Sequence, residues 1–279
     1  MFKRQTTGSV VCVSCGYLVG VKDERCYNCG RRNPGLWGYA GAIKKLGNDL
    51  GFTPLVITIC SVMFGLTLLM SHGNVGMNGI FDMLSPHPIA LVQAGASGQI
   101  PIMMGRWWTP LSAIWLHGSL LHIVLNMWFM RQLSPAVGEF YGPGRTVIIY
   151  IGAGVISFLV SSFSAIFQLP LAGGAFTVGA SGAIFGLMGA FAAILYSRGV
   201  NPFQTGIGGL ILVNLVLSFA LSNISVGGHI GGLIGGTIVG LAFSASQRRH
   251  QAWIGWATCL VVAAGSVLGA MAVAGSSGL

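Results

Sequence analysis

Long stretches of the chain run almost without charge, and short polar segments separate them. The uncharged runs cover residues 52–71, 113–133, 146–167, 181–196, 206–222, 229–245 and 253–274. A hydrocarbon core about 30 Å thick takes roughly 20 apolar residues of helix, so the pattern predicts seven membrane-spanning helices. Four runs are unambiguous and three are short or loaded with glycine. The glycines are themselves patterned. His229, Gly232, Gly236 and Gly240 fall on one helical stripe, and Gly182, Gly186 and Gly189 form another beside Ser181. Small residues at these intervals let membrane helices approach backbone to backbone.

Composition agrees with the pattern. Of 279 residues, 53% are apolar and 7% charged, where soluble proteins carry about a quarter charged residues. Mean hydropathy is +0.77. A soluble enzyme, a disordered chain and a collagen-like repeat are all excluded, which leaves a polytopic membrane protein. The start of the chain is polar and cysteine-rich, so no cleavable signal peptide is expected. Every Lys and Arg except Arg106 falls on one side if the N-terminus is cytoplasmic, as the positive-inside bias requires. The net charge of +9 is scattered over loops, so no nucleic-acid partner is expected.

Cys12-Val-Ser-Cys15-Gly16 and Cys26-Tyr-Asn-Cys29-Gly30 are two copies of one pattern. Four thiolates at this spacing can enclose a tetrahedral Zn²⁺, and the glycine after each pair fits a positive-φ turn. A segment with so little apolar material needs such a staple. A redox motif or disulfides fit less well in a reducing cytoplasm. A zinc ribbon over residues 1–32 and a basic linker over 33–51 are expected, the latter near lipid headgroups. The ribbon is a candidate surface for a cytoplasmic partner.

Polar groups inside the spans mark function by default. His122 and Asn126 lie one turn apart in the outer half of the second run. Ser181 stands at the outer mouth of the fourth, in Gly179-Ala-Ser181-Gly182, and His229 at that of the sixth, in Gly228-His229-Ile-Gly-Gly. The two glycine stripes predict the close approach that a serine–histidine hydrogen bond needs. Generic helix packing would explain the glycines alone, but not four polar residues at one depth.

These three motifs resemble those of the rhomboid family of intramembrane serine proteases. Gly179-Ala-Ser181-Gly182 is similar to the nucleophile motif, Gly228-His229 to the base-bearing helix, and His122-Ile-Val-Leu-Asn126 to the oxyanion element. The likeness runs over residues 52–245, a six-helix core, with residues 246–279 forming an additional seventh helix. It implies an all-α polytopic fold that hydrolyses peptide bonds in or near the transmembrane segments of other proteins, with the bilayer as its surroundings. By the same resemblance Ser181 is the nucleophile and His229 the general base. His122 and Asn126 serve the oxyanion, and Gly179, Phe185 and Trp108 lie beside the substrate. Phe185 also packs on the His229 ring, and His117 orders the loop above. Apart from the zinc, no cofactor is implied.

Residues 72–112 are too long for an idle connector. They contain Pro86, Pro88, Pro101 and Pro110 and end in the interfacial pattern Gly105-Arg106-Trp107-Trp108-Thr109. In rhomboids the corresponding loop usually carries Trp-Arg; here Trp108-Thr109 stands in that place and the arginine is Arg106. Gly173-Gly174 and Ser225-Val226-Gly227-Gly228 are expected as flexible segments that admit substrate. Water must reach Ser181 while lipid is kept away, so the site is expected to open to the outer face, and a cytoplasmic ribbon on a six-plus-one core suits a bacterial inner membrane. An inactive rhomboid-like protein that binds membrane clients is the alternative, and a transporter would show an internal repeat that is absent. The five acids, Asp23, Glu24, Asp49, Asp82 and Glu139, all lie outside the runs. A hydrolase here therefore works without a carboxylate, as a dyad of Ser181 and His229.

Overall fold

The computed structural model of the protein describes residues 3–13, 17–166, 175–220, 224–248 and 252–276. It divides into two compact units, Met1–Phe52 and Thr53–Leu279. Two expected features, Cys15 and Gly173-Gly174, lie outside the described residues.

In the N-terminal unit, β1 (Ser9–Val11) and β2 (Leu18–Gly20) form an antiparallel hairpin with Val10 opposite Val19. A short helix, α1 (Ala40–Lys44), closes the unit. Part of the segment expected as a linker, at Pro34, Gly38 and Ala40, packs on the residues before it. Gln5 N–H donates to the Gly38 carbonyl at 2.9 Å and Val13 N–H to Pro34 at 3.3 Å. Ala40 joins Val10, Cys12, Val19, Val21 and Cys26 in one small apolar cluster. The hairpin alone is short of apolar surface, and the following segment supplies some of it.

The second unit holds α2 (Phe52–Met70), α6 (Leu120–Tyr141), α7 (Pro143–Ile166), α8 (Ser181–Ser197), α9 (Ile207–Ala220), α10 (Val226–Arg248) and α11 (Ala252–Ser276). Between α2 and α6 lie three short helices, α3 (Pro88–Ala94), α4 (Gln99–Met103) and α5 (Thr109–Ser112). One expected span begins late. The run from 113 is broken, and the helices before and after the break meet at 91°. Leu116 is extended, and Ser119, also extended, caps a new helix by accepting the His122 N–H. The cap restarts the helix three residues ahead of His122. The structure is that of a multi-pass membrane protein, although α8 and α9 have only 17 and 14 residues. At 1.5 Å per residue, α9 is about 21 Å long.

α8 is the centre of the unit. Apolar on every side, it is buried along nearly its whole length, as such a helix must be. Glycines decide how close its neighbours come. A Cβ on Gly232 would overlap the Gly182 carbonyl, and one on Gly236 the backbone of Gly186, so α10 lies directly on α8. On the other side a Cβ on Gly182 or Gly186 would strike Ser157 or Ala153 of α7. The Tyr141 hydroxyl lies 2.9 Å from the Ala190 carbonyl and 3.1 Å from that of Gly240, joining the end of α6 to both helices. Outward faces remain apolar. Leu55, Val62 and Leu66 of α2 and Leu212, Val213 and Val216 of α9 are exposed, which suits a lipid surround.

Candidate active site

Three helix starts and one extended segment build the site. Residues 175–177 run beside the long connector, where Ser97 and Thr177 exchange backbone hydrogen bonds at 3.0 and 2.7 Å. The chain then turns at Gly179, whose φ of +135° excludes most side chains. Its N–H donates to the Ala113 carbonyl at 3.0 Å. α8 begins two residues later with Ser181.

α10 begins sooner than the sequence implied. Val226, Gly227 and Gly228, expected as a flexible approach, form its first turn. Ser225 caps this turn by accepting the Gly228 N–H at 3.1 Å, and its hydroxyl bonds that of Ser161 on α7 at 2.6 Å. A serine at that place holds a glycine-rich start in helical form. His229 is thereby set one turn into the helix, facing Ser181.

His229 Nε2 lies 2.8 Å from Ser181 Oγ. Its ring stacks on Phe185, with centroids 4.4 Å apart and planes at 23°. Phe185 is only 4% exposed and lies against the His229 ring. The other ring nitrogen has a partner that sequence reasoning missed. Ser218 Oγ of α9 lies 2.7 Å from His229 Nδ1. A lone serine in an apolar helix carries no signal in sequence; only the fold brings it to His229.

His122 sits in the first turn of α6 and accepts the Gly118 N–H at Nδ1 (3.4 Å), which leaves Nε2 as the protonated nitrogen. That Nε2 borders Gly179 closely: a Cβ there would lie 2.7 Å from it and 3.6 Å from Ser181 Oγ. Glycine is thus required at 179 twice over, by its φ and by the imidazole beside it. Asn126, one turn below and buried, donates from Nδ2 to the His122 carbonyl at 2.8 Å, so one of its two amide protons fixes the side chain to its own helix. His117 is fully buried with its ring edge-on to His122, centroids 5.1 Å apart.

Trp108 stands apart from this group. It is about half exposed and keeps company with Trp107 and Arg106, whose guanidinium carbon lies 5.8 Å from its ring centroid. Arg106 also donates to the Val92 carbonyl at 2.9 Å and so ties the end of the connector to α3. The displaced arginine still anchors the loop. Among the described contacts Trp108 makes none with Ser181 or His229.

In the N-terminal unit, the sulfurs of Cys12, Cys26 and Cys29 lie within 4.8 Å of one another, with Cys12 and Cys29 at 3.8 Å. Tetrahedral Zn–S bonds of about 2.3 Å place sulfurs about 3.8 Å apart. Gly30, after the second pair, has φ +70° and donates to the Cys26 carbonyl at 2.9 Å. The three thiols fit a metal in spacing and chemistry.

The rhomboid domain matches residues 104–246, half of the chain, and takes in all four of Ser181, His229, His122 and Asn126. The rhomboid protease GluP of Bacillus subtilis is 36% identical over 182 residues, which cover 64% of this chain and 32% of that protein. The putative rhomboid protease YdcA of the same organism is 28% identical over 155 residues, 54% of this chain and 75% of its own length. Rhomboid-like protease 2 of Toxoplasma gondii is 32% identical over 108 residues, 39% of this chain and 36% of its own. The match therefore spans about a third of two of these relatives and most of the third. With three motifs on three converging helices and a domain match over half its length, the chain belongs to the rhomboid family.

Proposed function

We propose that the protein is an intramembrane serine endopeptidase that cleaves membrane-protein substrates in or near their transmembrane segments. The observation that carries this reading is the 2.8 Å approach of Ser181 Oγ to His229 Nε2. In the reaction, Ser181 Oγ attacks the scissile carbonyl while its proton passes to Nε2. The same proton is then delivered to the leaving amine, and water hydrolyses the acyl-enzyme by the reverse use of His229. Charge develops on the carbonyl oxygen, and the donors available are His122 Nε2–H, the free amide proton of Asn126 and the Ser181 N–H. Each such donor is worth about 3 kcal/mol of barrier in a dry site.

Residues 52–245 form the protease domain of this proposal and 246–279 an accessory helix. The N-terminus lies in the cytoplasm and the site opens to the outer face of a bacterial inner membrane. Cys12, Cys15, Cys26 and Cys29 hold a structural Zn²⁺, which stabilises the N-terminal unit and takes no part in hydrolysis. That unit offers its surface to a cytoplasmic partner.

Labelling of the detergent-solubilised protein with a fluorophosphonate probe tests the reading. Wild type labels, Ser181→Ala does not, and His229→Ala labels at least about a hundredfold more slowly, as expected for loss of a general base. Equal labelling of wild type and Ser181→Ala would overturn the proposal in favour of a client-binding role.

A further inference from the structure

In serine hydrolases with a triad, a carboxylate behind the histidine fixes which ring nitrogen carries the proton. Among the described contacts His229 has no carboxylate partner, and the five acids lie outside the uncharged runs, so something else must do this. Ser218 is 2% exposed, and its Oγ makes two short contacts. One is to the Asn214 carbonyl, one turn earlier on α9, at 2.7 Å. The other is to His229 Nδ1, also at 2.7 Å.

Each contact needs one proton, and the serine hydroxyl has only one. A carbonyl oxygen cannot donate. The Ser218 proton therefore lies on the bond to Asn214, and the proton on the other bond comes from Nδ1. With Nδ1 protonated, neutral His229 presents a bare Nε2 to Ser181 Oγ at 2.8 Å. The Ser181 proton completes the third bond. The chain of donors runs in one direction: Ser181 O–H to Nε2, Nδ1–H to Ser218, and Ser218 O–H to the Asn214 carbonyl. In the opposite arrangement the contact with Asn214 would lack a proton, and Nε2–H would face a nucleophile it could not deprotonate.

We infer that Ser218 is a positioning residue that selects the base-competent tautomer of His229, in the place where a carboxylate stands in a triad. When Ser181 attacks, its proton moves to Nε2 and the ring becomes imidazolium. Nδ1–H then donates a charge-assisted bond to Ser218, strengthened because Ser218 is itself polarised by the Asn214 carbonyl. Ser218 gains and loses no proton. The arrangement also places a neutral group where a carboxylate would be costly to hold within the membrane.

The kinetic arm of the test rests on the protease reading; the ring tautomer does not. Four proteins are compared in detergent: wild type, Ser218→Ala, Ser218→Thr and Ser218→Val. Threonine keeps the hydroxyl and its bond to the carbonyl one turn back, while valine has the same shape without it. Hydrogen bonds to charged groups carry enough free energy that Ala and Val should lower kcat about 10- to 100-fold. KM and thermal midpoint should stay near wild type, and Thr should restore kcat to within about threefold of wild type. In ¹⁵N-histidine NMR, wild type should show His229 with a protonated Nδ1 and a bare Nε2, and the Ala variant a mixture of tautomers. A wild-type ring protonated at Nε2, or an Ala variant with kcat within about threefold of wild type, would overturn the inference. Should wild type neither cleave nor label, the protease reading fails, and the NMR result alone decides the role of Ser218.

Discussion

Glycine does different work in the two units of this protein. In the helical unit Gly236 lies in a regular helix and needs no unusual φ, but a Cβ there would run into the backbone of Gly186. In the N-terminal unit Gly30 has open space around it, and what it supplies is a φ of +70° beside Cys29. One glycine is present for the atoms it lacks and the other for the backbone angle it allows. Gly179 combines the two, with φ +135° and the His122 ring against it. The difference follows from how each unit is held. Lipid gives helices no hydrophobic reason to associate, so the core depends on close contact. The N-terminal unit has a small apolar cluster and three thiols that meet closely enough to hold the proposed zinc.

Substitutions at the three positions should therefore differ in size and in what they damage. Gly236→Leu has the largest effect. Backbone cannot yield as a side chain can, so α10 separates from α8 at a cost above the ~1–3 kcal/mol of ordinary overpacking. The expected outcome is loss of a cooperative thermal transition and of probe labelling together; a folded, labelled variant would break the account of the seam. Gly179→Ala comes next. Strain of about 1–3 kcal/mol at such a φ, with the displaced imidazole, should slow labelling about 10- to 100-fold while the protein stays folded. Labelling at the wild-type rate would show that the turn is not needed for the geometry of the site.

The smallest effect is expected of Gly30→Ala, where only the angle is at stake. Forcing alanine into the left-handed region costs about 1 kcal/mol, read as roughly fivefold weaker zinc binding, with labelling of Ser181 unchanged. Stripping the metal with a chelator sharpens the same contrast. The N-terminal unit should become sensitive to limited proteolysis, while the labelling rate of the helical unit stays within about twofold. A matching fall in labelling would show that the two units are energetically linked.

Much of the fold was legible because membrane helices write themselves as uncharged runs of fixed length. The helices α2, α7, α8, α9, α10 and α11 begin or end within a few residues of the runs. The second run carries no charge from residue 113 onward and so predicts helix there. Only the extended Leu116 and the Ser119 cap show that the chain bends there. The glycines at the start of α10 predict a flexible segment. Its order comes from Ser225, held by Ser161 of another helix. The basic segment after the cysteines reads as a linker near lipid headgroups, and in the structure Ala40 and the backbone at Pro34 and Gly38 join the small unit.

What the sequence by itself determined was the solvent, the number of apolar runs, the absence of acids from them, and the three motifs that carry Ser181, His229, His122 and Asn126. Those properties reside in composition and short spacing, and each can be read along one segment. The tertiary structure decided the rest. It stacked Phe185 on the His229 ring, set Trp108 beside Trp107 and Arg106, and brought Ser218 from a helix with no motif to within 2.7 Å of His229. Hydrogen-bond direction depends on where three helices cross, and no single segment records the crossing.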